Sequence, residues 1–477
     1  MSDLHLRALT ANGYPTRQTA WRAMALAGLI LFAGRTGAAQ TNSDLNSGIQ
    51  FDFSTPGARS LGCGGAFVAR ADDATAAYAN PAGLTNLSKV EVSAEVRNWS
   101  FTNHFTDGGR LSGTPTGTGV DTVAGIQQGT AGSQETGLSY YSIVVPDRAK
   151  RLPRWALALY RHEVGDFRVR YQTQGAILND TSRILPTSNH LDLKIVDVGV
   201  AAALRVGSLS LGAGISRFSF SLFSVTQRFA LAAPFAPPTY AGADIESSQV
   251  QQGDNARIGF NLGITWKPSE LWNLEKPSEQ WTLGATYRKG PRFTFSALTE
   301  PGRAGLPDFI ASRKAKFAVP DVFGLGASFQ PSDWVILSLE YDRVKYSALT
   351  SGFTNIFPGP AADLQNYRVN DSNQFHLGGE FVMKVFSHKT MQLSGRVGAW
   401  SDPDHKIRYD GPATTTRVLF KAGADQTHYS VGLGLSRYRM RAGLSGLDWL
   451  FARFELNAAY DYSRQVRTAS LSIIGYF

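Results

Sequence analysis

The sequence holds one cysteine, Cys63, in 477 residues, so no intramolecular disulfide staples the chain and its fold must rest on packing and hydrogen bonds. Cys63 also lies too far past the first apolar stretch to serve as a lipid-anchor site. Beyond residue 40 there is no uninterrupted apolar run of about 18 residues, which excludes membrane-spanning helices. Also missing are a Gly-x-Ser-x-Gly elbow and a His-Glu-x-x-His pair, and the eight histidines are scattered. Nothing therefore points to an enzyme, a metal or a cofactor. The net charge is +9, of which Asp3, Arg7, Arg17, Arg22 and Arg35 contribute +3. The remaining basic residues are dispersed with no aromatic-interleaved stripe, so a nucleic-acid partner has no support. An anionic lipopolysaccharide surface suits the surplus equally well.

What is present begins at the N-terminus. Arg7, Arg17 and Arg22 precede an apolar stretch from Ala23 to Ala33, and Gly37, Ala38 and Ala39 supply small residues for cleavage. Residues 1–39 are expected to be a secretory signal peptide, because the stretch falls well short of the roughly 20 residues a spanning helix needs.

From residue 89 to 477 apolar and polar positions alternate with the period of two that gives a strand two unlike faces. Ile258, Phe260, Leu262, Ile264 and Trp266 form one such face, with Arg257, Gly259, Asn261, Gly263 and Thr265 opposite. Trp281, Leu283, Ala285 and Tyr287 form the next and are expected to continue into Phe293 and Phe295. Val335, Leu337, Leu339 and Tyr341 repeat the scheme, as do Tyr429, Val431, Leu433 and Leu435. Strands are expected near 90–101, 136–146, 154–171, 190–206, 208–229, 254–267, 280–297, 314–330, 333–347, 373–386, 389–402, 426–440, 452–463 and 466–477. The connections 102–135, 172–189, 230–253, 298–313, 348–372 and 403–425 are mostly long, whereas 331–332 and 387–388 are short. Long loops outside and short turns in the periplasm are the rule of an outer-membrane barrel. The last strand ends Leu471, Ile473, Gly475 and Phe477, resembling the terminal signature that barrel assembly machinery recognises. The expected fold is all-β, a transmembrane antiparallel β-barrel of about 14 strands in the bacterial outer membrane.

Residues 40–88 depart from that alternation. Small residues dominate from Gly57 to Phe67 and again from Ala71 to Leu84. Asp73 can cap a short helix from Ala74 to Tyr78, which Asn80 and Pro81 would stop. Gly62, Gly64 and Gly65 match neither nucleotide-binding fingerprint. The composition suits a compact plug inside a lumen. The run Asn80-Pro81-Ala82-Gly83-Leu84 after an Asp-Asp-Ala helix resembles the N-terminal hatch of the FadL long-chain fatty-acid transporter family. The stretch from Val319 to Gly326, with Gln330 to Trp334 at a tight turn, resembles the same family. The resemblance implies passage of hydrophobic compounds such as long-chain fatty acids or aromatic hydrocarbons, with the hatch at Asn80, Pro81, Ala82 and Gly83 gating the lumen. It covers the hatch and one hairpin, and otherwise only the 14-strand plan.

Such ligands avoid water and need an apolar path. Phe229, Leu231, Phe235 and Tyr240, stiffened by three prolines, and Phe309 with Ile310 offer capture surfaces, although ordinary loop packing accounts for them as well. Arg257, Arg288, Glu340, Glu380, Arg396 and Glu455 fall on inward parity. In the third strand, Trp155, Leu157 and Leu159 share a parity with Phe167, Val169 and Tyr171, so both ends are expected to face lipid. Between them the same parity carries Arg161, Glu163 and Gly165. A straight strand would put two charges into hydrocarbon at roughly 2–4 kcal/mol for the arginine, so an inward bend there is expected, opening the wall for lateral release. The alternative is that residues 161–166 lie beyond the bilayer. The FadL family is understood to release ligand at a kinked third strand. A monomer is expected. The competing functions are a FadL-fold scaffold or shuttle for secreted cargo, and a general porin, which a plug disfavours.

Overall fold

A computed structural model describes residues 49, 53, 55–147, 154–229, 245–268, 280–301, 311–349, 365–385, 391–437 and 453–477. The segment expected to be a signal peptide lies outside these, as do Leu231, Phe235, Tyr240, Phe309 and Ile310. Among the described residues no helix is long and apolar enough to cross a membrane.

Fourteen antiparallel strands close into one barrel. They are β1 (Glu91–Arg110), β2 (Gly125–Pro146), β3 (Arg154–Thr173), β4 (Thr187–Val206), β5 (Leu209–Phe229) and β6 (Ile245–Trp266). Two broken strands follow, β7 (Gln280–Lys289 and Arg292–Pro301) and β8 (Ala311–Ala318 and Val322–Ser332). Then come β9 (Val335–Val344), β10 (Ser372–Val385), β11 (Met391–Asp402), β12 (Gln426–Arg437), β13 (Phe454–Tyr462) and β14 (Val466–Tyr476). Each pairs with the next, and β1 pairs with β14 from Glu91↔Tyr476 to Phe101↔Val466, so the sheet has no edge. Closure lets the strands satisfy one another's backbone groups without water over most of the wall, which a bilayer demands.

The alternation read from sequence is the alternation of exposure. Val200, Leu433 and Leu471 stand on the outer face, with Leu433 at 64% of full exposure, while their strand neighbours turn inward, and Ile258 is exposed to 68%. Bare apolar area on this scale would be an aggregation site in water; as a belt around a closed barrel it matches hydrocarbon.

Strand boundaries differ from expectation mainly at the outer end. Residues 102–110 and 125–135, expected as loop, continue the β1–β2 ladder to Gly109↔Ile126. The ladder is held by backbone groups, which pair whether or not side chains alternate, so the polar stretch gives no period-two signal. A short hairpin, Ala176–Asn179 with Ser182–Ile184, follows β3 and touches β1 at Arg110↔Ile177. Arg110 ties this end together. It donates to both oxygens of Asp121 at 2.8 Å each and to Asp180 at 2.8 Å.

Candidate functional site

The barrel interior holds residues 57–88. The segment contains helix α1 (Ala58–Gly62), helix α2 (Ala76–Ala79) and a 3₁₀ helix over Pro81–Asn86. Thr75 caps α2, and the carboxylate of Asp73 accepts from Thr75 N–H at 2.9 Å, so the turn starts slightly later than the sequence implied. Asn80 joins the two later helices. Its Oδ1 accepts from Ala82 N–H at 3.2 Å, and its Nδ2 donates to Val68 O at 2.8 Å and to the β6 carbonyl of Ile264 at 3.2 Å. Pro81 occupies the first helical position, where a missing N–H costs nothing. Asn80, Pro81, Ala82 and Gly83 are all fully buried, and the Asn80 side chain links the segment to the wall.

This segment reaches every strand of the barrel. Gly57 N–H donates to Glu95 on β1 at 2.9 Å, and Ala58 N–H to Ser472 on β14 at 3.2 Å. Tyr140 and Ser142 on β2 donate to Ala74 O, and Tyr78 packs on Tyr160 and His162 of β3. Asn261 on β6 donates to Ala77 O at 3.2 Å. Phe67 and Val68 N–H groups both donate to Glu340 on β9, at 2.7 and 2.6 Å. The close approach depends on glycines in the wall. A Cβ at Gly212, Gly284, Gly326, Gly378 or Gly398 would strike the backbone of Ala82, Ala69, Ala69, Cys63 or Gly64 respectively. A buried ion network supplements the fit. Glu380 on β10 receives Arg59 at 3.4 Å, Arg70 at 2.9 Å and Arg396 of β11 at 2.9 Å, and Arg59 also meets Asp72 at 2.9 Å. Removing one partner of such a group strands a buried charge and costs about 3–5 kcal/mol.

Outward of the plug the interior is two-sided. Phe167, Leu193, Phe220, Phe293, Phe317 and Val322, from β3 to β8, belong to one continuous apolar cluster that also takes Trp99 and Phe101 from β1. The side formed by β10 to β13 is polar at the level of residues 62–65, where His376 Nδ1 lies 2.7 Å from Gly64 O. There Trp400 lies between His376 and His428, with His428 Nδ1 at 2.6 Å from Asp461.

Two faults in the wall supply the apolar half, and each corrects an expectation. In β3 the register against β4 slips between Glu163 and Gly165, leaving Val164 as a one-residue bulge. Alternation therefore reverses there. Leu157 and Leu159 face outward, but Phe167 and Val169, expected to face lipid, are buried in the lumen. Arg161 and Glu163 do not bend inward. They stay on the outer side, where the bulge has not yet acted, and pair at 2.9 Å. Lys194 of β4 joins Glu163 at 3.2 Å and Asp166 at 2.7 Å. Gly165 contributes no special conformation, since its φ is not positive and a Cβ there would meet nothing within 4 Å.

At the same height β2 leaves β3. The β2–β3 ladder runs from Pro146↔Ala156 to Tyr140↔His162 and stops, although β2 stays paired with β1 and β3 with β4. The Arg161 guanidinium donates to Leu138 O at the point of separation, and Arg168 reaches Glu135 across the gap at 3.5 Å. Behind the gap, rings from β1 and β3 stack directly: Phe101 on Phe167 at 4.3 Å and Phe105 on Tyr171 at 4.2 Å. The opening thus has polar residues outside and an aromatic closure inside.

The second fault is shared by β7 and β8. Gly290–Pro291 and Val319–Pro320 interrupt both at one level, because neither proline can donate to a ladder. Phe293 and Phe295, expected on the outer face with Tyr287, are turned inward and buried. Asp321 replaces the lost bonds, accepting from Lys289 at 2.6 Å, Tyr287 OH at 3.1 Å and Gly290 N–H at 3.1 Å.

No family model matches this sequence, and no curated protein does. Solved structures match over nearly their whole length. A Pseudomonas aeruginosa FadL homologue is 17% identical with a TM-score of 0.56, over 89% of this chain and 98% of that one. The monoaromatic hydrocarbon channel CymD is 16% identical at 0.51, over 90% and 99%. The Ralstonia pickettii toluene transporter TbuX is 15% identical at 0.51, over 89% and 99%. This is the FadL fold.

Within the FadL fold, Asn80 to Gly83 converge with Val319 to Gly326 on one lumen, the two stretches that carried the resemblance. Of the inward charges read from parity, Arg288, Glu340, Glu380, Arg396 and Glu455 are buried. Arg257 is exposed and donates to the carbonyl of its own neighbour, Ala256. Phe229 ends β5 as a buried side chain, its N–H on Pro186 O at 3.0 Å. Sequence reasoning missed the ring of wall glycines and the Asp321 pin. Both left a signal: glycine recurs in mid-strand, where it weakens a strand unless another backbone comes close, and an aspartate directly follows a proline inside a strand.

Proposed function

We propose that this chain is an outer-membrane channel for passive uptake of hydrophobic compounds, of the class of long-chain fatty acids or aromatic hydrocarbons. The observation that carries the reading is an apolar chamber standing directly on a plug that touches every strand. A water-filled pore would offer such ligands nothing, whereas apolar walls favour them by about 25 cal/mol for each Å² withdrawn from water. In this reading residues 57–88 are the hatch, and Asn80 and Pro81 set its bend. Ligand leaves sideways where β2 parts from β3, past the stacked rings of Phe101 and Phe167, at the outer edge of the apolar belt. The solved structures of this fold named as hydrocarbon and toluene channels support the same use. The chain acts as a monomer, inserted by the barrel assembly machinery among lipid and lipopolysaccharide.

Proteoliposome uptake of a labelled hydrocarbon tests it. A short cross-link between Glu135→Cys and Arg168→Cys should stop delivery to the membrane while ligand still binds; unimpaired delivery through the bridged wall rules the lateral route out. Replacing Asn80 and Pro81 by alanine should alter uptake several-fold in a barrel that still shifts on heating. Wild-type uptake in that variant would remove the hatch from the gating role.

A further inference from the structure

We infer that the β2–β3 opening is a seam with a second, closed state, in which the outer halves of the two strands pair from Gly137↔Gly165 to Ala131↔Tyr171. As a control on release the inference rests on the channel reading, whereas the closed state itself is a matter of strand register.

The ladder below the opening ends at Tyr140↔His162. Just beyond it both strands carry one extra residue at the same height, Ser139 of β2 against β1 and Val164 of β3 against β4. An extra residue exchanges the two faces of a strand. Had one strand alone gained it, the inner face of β3 would meet the outer face of β2. Because both did, the faces stay in phase. Glu135 and Ser133 lie opposite Trp99 and Phe101 of β1, whose rings are buried in the lumen, and Phe167 and Val169 point into the same lumen. Continuing the lower register past the two extra residues sets Ser133 beside Val169 on the inside and Gly132 beside Arg170 on the outside.

The β3 strand already runs at a constant stagger along the opening. Its rings Phe167 and Tyr171 stack on Phe101 and Phe105, two pairs equally spaced along both strands. They meet over β2, whose inward residues there are small. A Cβ on Gly129 would strike the Phe105 ring, and Ala131 and Ser133 follow on the same face. In a continuous sheet β1 and β3 stand two strand spacings apart, about 10 Å, a distance that two facing phenylalanine side chains span. The stacks therefore survive closure, and β3 needs only to move sideways.

What holds the strands apart is polar. The Arg161 guanidinium of β3 donates to Leu138 O, so a side chain occupies an acceptor that a continued ladder would give to β3 backbone. Glu163, paired with Arg161 at 2.9 Å, puts a carboxylate oxygen 3.4 Å from where a Cβ of Gly137 would be. Arg168, on the outer side, reaches inward-facing Glu135 at 3.5 Å, and that pair can pass only between separated strands. Opposite Gly137, a Cβ on Gly165 would meet nothing within 4 Å, so the narrow end of the slit has room to close. Half-exposed ion pairs are individually weak, whereas closure pairs backbone groups of both strands along the whole slit. Ligand between the rings favours the open state and an empty chamber the closed one, so the wall stands open only during release.

Cysteine bridging of the full chain in lipid vesicles tests the closed state. Gly132→Cys and Arg170→Cys are direct outward partners in the closed register. Thr130→Cys or Gln134→Cys with Arg170→Cys lie diagonally off it, beyond the Cα separation of about 7 Å that a disulfide tolerates. Cys63 is buried and does not compete. Under mild oxidant the direct pair should bridge roughly tenfold faster than either diagonal pair. Adding Arg161→Leu, which suits the outward face, should speed that bridge roughly tenfold by removing a charged hydrogen bond, and Arg161→Lys should leave it near the original rate. Equal bridging of the three pairs, faster bridging of a diagonal pair, or indifference to Arg161→Leu in a barrel that still shifts on heating would each overturn the inference. Toluene delivery to the membrane separates the closed state from the route. If the direct pair bridges and delivery continues, lateral release fails and the closing seam stands. If bridging Glu135→Cys to Arg168→Cys stops delivery while the direct pair never forms, the opening is a permanent exit and the seam fails.

Discussion

The two wall faults reverse side-chain alternation in the same way, yet only one leaves a gap. β3 gains a residue at Val164 against β4, β2 gains one at Ser139 against β1 at the same height, and there the two strands part. β7 and β8 break together, so that Arg288↔Val322 below the break and Arg292↔Ala318 above it keep one register. Asp321 spans the interruption. The difference lies in register: β7 and β8 keep a common register through their break and stay paired, whereas β2 and β3 each slip against the strand on their other side and separate. Both faults deliver aromatic rings to the lumen, so the apolar chamber is built by irregularity as much as by the regular pattern.

Erasing the bulge in β3 should have the largest effect. Deleting Val164 would restore plain alternation through β3, turning Phe167 and Val169 outward and aiming Arg168 and Arg170 into the apolar cluster. Burying an unpaired guanidinium there costs several kcal/mol, so the heat-modifiable form should be nearly lost on gels. A normal yield of folded barrel would show that the bulge is dispensable.

Removing the pin of the matched fault should be milder. Asp321→Ala deprives Lys289, Tyr287 and Gly290 of their acceptor, for about 1–3 kcal/mol. Hydrogen exchange at Gly290 should rise by one to two orders of magnitude, while hydrocarbon delivery through the β2–β3 gap continues. If delivery is lost as well, the two faults are coupled and the comparison fails.

The smallest effect concerns the loops above β3. Hydrogen bonds from Arg110 hold the Asp121 carboxyl down, from an ordinary 3.8 to about 2. A depressed carboxyl contributes stability above its unfolded value and forfeits it as pH falls toward the folded one. Protease resistance of the loop carrying Asp121 should therefore be constant from neutral pH to about 4 and decline between there and about 2. Loss beginning above pH 5 would assign the sensitivity to another group.

The strand count, the outward belt and the turn at Asn80-Pro81 were legible because each rests on local chemistry. Ile258 to Trp266 announce a two-faced strand residue by residue, and Asn80-Pro81 announces a stop. The faults were legible only as anomalies. Arg161 and Glu163 marked the correct place in β3, but a parity argument cannot say which residue is extra, so Val164 was overlooked and Gly165 overvalued. Phe293 and Phe295 were assigned outward for the same reason, since counting by two continues through Gly290–Pro291 although the chain does not. The contacts between the inner segment and the wall were beyond reach, because Glu340 and Phe67 are separated by 273 residues.

The sequence by itself determined that the chain must close into a membrane barrel: with one cysteine and no long apolar run, period-two faces can be buried only against lipid and a lumen. Tertiary structure alone decided what lines the lumen. Whether a side chain beyond a bulge points in or out, whether two irregular strands stay paired, and which wall glycine meets which stretch of the inner segment are all set by register between strands distant in the chain. Register is a property of pairs, and no single strand carries it.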